Sequence, residues 1–143
     1  MRWLAPRLAS GSLDELSAVS HFQPVSILLK DRDRKAVVVE KAKPSQPLMV
    51  FDIAPVVEKP LVVLWAALSD RPIGETASAY ANGFLNCVND TYPEILTHVD
   101  ARNVRHIAFL ENVGFTRTGE LPNHGRKQLK FYAYTRTGSA ANV

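Results

Sequence analysis

The sequence is poor in the features that mark disulfide-bonded, metal-bound or membrane-spanning proteins. Its single cysteine, Cys87, excludes an internal disulfide and a cysteine-based metal site, and it fits a reducing compartment. The four histidines, His21, His98, His106 and His124, show no metal-ligand spacing, so no metal is expected. The longest apolar run, Pro60 to Leu68, falls far short of the roughly 20 residues that span a bilayer. The start, Met1-Arg2-Trp3-Leu4-Ala5-Pro6, lacks a sustained apolar stretch before a small-residue cleavage site, so no secretory signal is read. There is no Walker loop, recognition-helix pattern, internal repeat or low-complexity tract. Charge of one sign is scarce: 17 basic against 14 acidic residues leave a net charge of +3. The excess lies from Asp100 onward, where seven Lys/Arg face three Asp/Glu. No more than two basic residues are adjacent and no aromatics are interleaved with them, so nucleic acid is not indicated beyond this mildly basic C-terminal third.

What is present suits one domain. A chain of 143 residues with 46% apolar and 22% charged side chains can bury a core. The expected domain spans residues 1–136, with 137–143 a polar tail. Ser12 followed by Glu15 is a capping-box pattern, and Leu13, Leu16 and Val19 share a helical face, so a short helix is expected to about Ser20. Val25 to Leu29 reads as a strand, and Lys30 to Lys35 as a charged turn. Ala36 to Glu40 and Leu48 to Ile53 read as strands separated by a turn over Lys43 to Pro47. Leu61 to Leu68 is apolar on both faces, as a central covered strand would be. Ser69 to Gly74 is a turn into a helix running to about Asn89, with Ala77, Tyr80, Phe84 and Val88 as its apolar face. Cys87 on that helix is expected as a small buried hydrophobe, with no visible activator. Ile95 to Val99 reads as a strand. Asn103 is the expected cap of a second helix with Val104, Ile107, Leu110 and Val113 inward, and Gly114 is its left-handed stop. Phe115 to Leu121 and Gln128 to Thr135 close as two strands around Pro122-Asn123-His124-Gly125. Strands first and helices later, with a helix between two central strands, predict a mixed α/β (α+β) sheet flanked by helices.

The run Asn103, then Phe109-Leu110-Glu111-Asn112-Val113-Gly114-Phe115 and Gly119, resembles the fourth-helix signature of the GCN5-related N-acetyltransferase (GNAT) family. Over Thr91 to Asn103 and His106 to Phe115 the sequence is also similar to acetyltransferase-like proteins of short-tailed bacteriophages, whose best-known member is an internal virion protein. The resemblance covers about residues 60 to 135. It implies a GNAT-like fold, with Asn103 near the pantetheine arm of acetyl-CoA. It also implies a V-shaped gap between the strand Leu61–Leu68 and the one beginning near Ile95. The family's pyrophosphate loop, Gln/Arg-x-x-Gly-x-Gly/Ala, is matched at Arg71 and Gly74. Thr76 stands where a small residue is usual, Glu75 adds a negative charge, and Pro72 removes a donor.

The catalytic equipment implied by the family is thin. The usual general-acid tyrosine would fall at Leu110, which has no proton to give. His106 and Tyr132 are the remaining catalytic candidates, His106 being more often a surface or structural residue in such a place. Glu40, Asp52 and Glu58 lie in the region where some relatives place a base, and Tyr134 joins Tyr132 as a candidate lining residue. Arg71, Gly74, Thr76 and Asn103 are the candidate cofactor contacts. The expectation is therefore a phage virion or morphogenesis protein with a degenerate acetyltransferase-like fold. It would act through contacts with other virion proteins, in the particle or the host cytoplasm, with no cofactor. The alternative is an active N-acetyltransferase using acetyl-CoA.

Overall fold

The structure, a computed structural model, describes residues 35–40 and 43–138, with side chains from Leu48 onward. The expected helix over Ser12 to Ser20, the strand Val25–Leu29, the first five residues of the charged turn and the end of the tail lie outside the described residues.

Among the described residues six strands form one sheet: β1 (Lys35–Glu40), β2 (Lys43–Pro55), β3 (Leu61–Leu68), β4 (Glu94–Asp100), β5 (Thr116–His124) and β6 (Leu129–Thr137). Among the described residues two helices interrupt them, α1 (Glu75–Thr91) and α2 (Val104–Asn112). The spatial order is β1-β2-β3-β4-β6-β5. Only the β3–β4 pair is parallel, bridged by α1, and the others are antiparallel. The expected mixed sheet is the observed one.

Alternation assigns the faces. Met49 and Phe51 on β2, Leu64 and Leu68 on β3, Ile95 and Val99 on β4, and Tyr134 on β6 turn to the helices and form the core with Ala77, Ala81, Leu85, Phe109 and Leu110. Phe51 is the hub: its ring stacks on Phe84 of α1 at 5.6 Å and on Phe109 of α2 at 6.2 Å. The far face is buried too at Val50, Ala67 and Phe131, as the two-sided apolar character of β3 requires.

Five expectations are corrected. The turn placed at Lys43 to Pro47 belongs to β2, whose pairing with β1 absorbs the prolines through register shifts at Val38/Val39 and Val39/Glu40. The turn placed at Pro122 to Gly125 lies later, because β5 runs to His124. Tyr80 is 70% exposed and α1 buries Ala81 and Leu85 instead; small alanines let the helix lie close to the sheet. Cys87 is exposed rather than buried, one position before the buried stripe resumes at Val88. On α2, Val104 points to solvent at the first helical position, while His106, expected at the surface or in a structural role, is buried. Gly114 has φ +91°, the left-handed stop expected of it.

Candidate functional site

The site is built by a failure of pairing. The parallel ladder consists of Leu61↔Glu94, Val62↔Ile95 and Val63↔Leu96, and goes no further. One step beyond, the Thr97 hydroxyl donates to the Leu64 carbonyl at 2.9 Å, a side chain doing what a backbone amide would do in a closed sheet. Past that point each strand keeps only its outer neighbour. β3 stays on β2 as far as Met49↔Leu68, and β4 stays on β6 as far as Asp100↔Phe131. The inner edges of Leu64–Leu68 and Val99–Asp100 therefore diverge in the middle of the sheet, as the expected V-shaped gap requires.

The loop after β3 crosses the open end. The Ser69 amide donates to the Leu48 carbonyl at 2.7 Å, and the Arg71 amide donates to the Ser69 hydroxyl at 3.3 Å. From α2, Arg105 reaches across the gap and donates one Nη to the Ser69 carbonyl at 2.5 Å and the other to the Arg71 carbonyl. Sequence reasoning missed this clasp; a lone arginine two residues after a cap carries no signal of its partners.

Gly74 is the N-cap of α1, extended at φ −80° and ψ 174°, and no side chain caps the helix. The Gly74 carbonyl accepts the first intrahelical bond, from Ser78 at 3.0 Å. The amides of Glu75, Thr76 and Ala77 precede that bond and face outward, a geometry that receives anions. Nothing lies within 4 Å of where a Gly74 side chain would begin, so the cradle is open. Pro72 and the exposed Glu75 subtract from it, by a missing donor and a like charge.

Asn103 caps α2 as expected, its side-chain oxygen accepting from the His106 amide at 3.2 Å. Arg71, Gly74 and Thr76 thus share the loop and helix start after β3. Asn103 stands across the gap on the β4 side.

The catalytic candidates are placed differently. His106 is 3% exposed, its ring 6.4 Å from that of Phe109. Leu110 is wholly buried. Tyr132, opposite Val99 on β6, is half-buried beneath the guanidinium of Arg117 at 4.3 Å. Tyr134 donates to Glu111 at 3.1 Å, and burial followed by that carboxylate pushes its hydroxyl pKa up. Glu58 sits in the β2–β3 turn with φ 62°, at the paired end of β3 and away from the gap. Asp52 pairs with Trp65 and alternates to the face opposite Phe51, while Glu40 ends β1 opposite Lys43. Among the described residues no group of three His, Cys, Asp or Glu side chains could hold a metal, and no helix is long and apolar enough to cross a membrane.

At the end of β4, Asp100 is buried and takes three bonds from the Arg102 side chain, between 2.6 and 3.2 Å, and one from its amide at 2.9 Å. Burial works to raise the carboxyl; the Arg102 hydrogen bonds and charge outweigh it and hold Asp100 below the usual carboxylate range.

Solved structures share this arrangement. A GNAT-family acetyltransferase from Bacillus anthracis superposes with a TM-score of 0.66 at 12% identity, over 89% of this chain and 83% of its own. A ribosomal-protein-S5-alanine acetyltransferase from Vibrio fischeri gives 0.65 at 14% identity, over 96% and 87%. A variant spermidine N-acetyltransferase from Vibrio cholerae gives 0.60 at 17% identity, over 82% and 72%. The fold is that of the GNAT acetyltransferases. No family model matches the sequence, and no curated protein matches it, so the likeness lies in the GNAT architecture and not in overall sequence.

Proposed function

We propose that the chain binds acetyl-CoA in the gap between β3 and β4 and acts as an N-acetyltransferase. The observation that carries this reading is the parallel ladder ending at Val63↔Leu96. In this sheet the divergent inner edges offer backbone donors and acceptors to an amide-bearing arm, and the uncapped start of α1 offers N–H groups to a pyrophosphate. Arg71 and the amides of Glu75 to Ala77 would hold the pyrophosphate, with Gly74 leaving room for it. Bound acetyl-CoA supplies an activated thioester carbon. The protein would orient the amine toward it; the N–C bond would form as the C–S bond breaks, and with Leu110 in the core the proton released from nitrogen would go to water while the leaving CoA thiolate takes a proton from water.

The test is paired. Thermal melting with acetyl-CoA at 100-fold over Kd should stabilise the protein by about 2.7 kcal/mol. Thiol release in the presence of an amine panel of polyamines and peptide N-termini should follow. Absence of any shift sinks the reading.

A second reading is favoured by the burial of Leu110 and His106, which leaves the gap without a proton donor from α2. In it the fold is catalytically degenerate and works through protein contacts, as a virion or morphogenesis protein of a bacteriophage, in the particle or the host cytoplasm. The support is the resemblance over Thr91 to Phe115. Stoichiometric capture of a particle protein with no thiol release would favour it; a monomer indifferent to every particle component would count against it.

A further inference from the structure

Away from the gap, Arg136 of β6 runs between the C-terminal ends of α1 and α2 and is 8% exposed. Its Nε donates to the Val113 carbonyl at 2.8 Å. One Nη bonds the Asn89 side-chain oxygen; the other bonds those of Asn82 at 2.9 Å and Asn86 at 2.6 Å. Asn82, Asn86 and Asn89 are spaced to share one face of α1, an amide ladder built around a single guanidinium.

Two features of this arrangement are unfinished. Every acceptor is neutral: among the described residues no carboxylate lies within ion-pair distance of Arg136. The negative ends of the two helices offset only part of its charge. A buried charge without an ionised partner is costly, and burial lowers the Arg136 pKa accordingly. Guanidinium also has five N–H donors, and the four bonds leave one on Nη1. Beside it opens a cavity of about 640 Å³ lined by Asn86, Asn89, Asp90, Gly114, Arg136 and Thr137, with Gly138 at its edge. The Asn86 amide nitrogen makes no bond among the described residues.

We infer that this cavity is a carboxylate-binding site, in which Arg136 Nη1 and Asn86 Nδ2 donate to the two oxygens of one carboxylate. Asp90 also lines the cavity; its negative charge opposes any anion and a dianion more than a monoanion, so a single carboxylate is the favoured guest. The cavity is larger than a small acid needs, so the carboxylate can belong to a free acid or to a peptide C-terminus.

Amide NMR of the full chain tests this with sodium acetate against sodium chloride at equal ionic strength. Triglycine free acid against triglycine amide forms the second arm. Saturable shifts at Asn86, Gly114 and Gly138 with acetate, tenfold weaker in Asn86→Ala, are expected. Tighter binding of triglycine acid, with none of its amide, would assign the site to chain termini. Arg136→Lys should abolish both; if that variant fails to fold, Asn86→Ala, exposed and on the rim, still decides. Acetate behaving as chloride with no triglycine binding, or shifts at Glu75 to Ala77 instead, overturns the inference.

Discussion

Single side chains carry the tension in this molecule. Arg105 ties α2 to the loop after β3 through two charge-assisted bonds to carbonyls. Arg105→Gln is expected to cost about 1.5–3 kcal/mol in urea denaturation, the worth of hydrogen bonds to a charged group. It should also weaken acetyl-CoA binding relative to 4′-phosphopantetheine, which lacks the pyrophosphate. Asp100 gives a pH signature. Its folded pKa lies below the unfolded value of about 3.9, so its stabilisation is complete above that value. That stabilisation is lost as pH falls through the lower folded one. Melting temperatures from pH 5 to 2 should therefore fall less steeply in Asp100→Asn. Asp100 and Arg102 could be read from the sequence only as charges, because their pairing depends on how the chain turns between β4 and α2.

At the scale of elements, glycines separate two kinds of position. Gly83 lies mid-helix on the exposed side of α1, with nothing within 4 Å of a built side chain. Gly83→Ala should stabilise by about 0.5–1 kcal/mol. Gly114 holds φ +91°, with Arg136 Nε 3.4 Å from where a side chain would begin. Gly114→Ala should destabilise by about 1–3 kcal/mol; chemical denaturation of both variants checks the opposed signs. Gly114 and Asn103 were legible because caps and stops are local chemistry. The buried face of α1 was not: Tyr80 fits the apolar period as well as Ala81, and only the closeness of the sheet selects the smaller residue. The β2 start was illegible for the same reason, since prolines at an irregular strand pair look like a turn until the register shifts are known. Of the site, the loop at Arg71 to Gly74 could be found by its motif, whereas the clasp from Arg105 joins residues more than thirty positions apart.

Over the whole molecule, the mixed sheet was predicted from element order, and the chain's acid response should exceed that of Asp100 alone. On the face opposite the helices, His98 lies 5.2 Å from His124, which in turn packs on Phe131 at 4.8 Å. Burial, then repulsion from His124, lowers the His98 pKa from 6.5. A depressed histidine contributes stability that is complete above the unfolded value and lost as pH falls from about 6.5 toward the folded one. Unfolding midpoints should decline from pH 7.5 to 5.5, and His98→Gln should flatten that decline.

The sheet is in effect two leaflets, β1-β2-β3 and β4-β6-β5, stitched by three rungs and one threonine hydroxyl. A guest lying in the notch would serve as the missing thread between them. The stiffness of the protein would then track how much of that guest is dissolved around it, and amide exchange along Leu64 to Leu68 would slow as the notch fills.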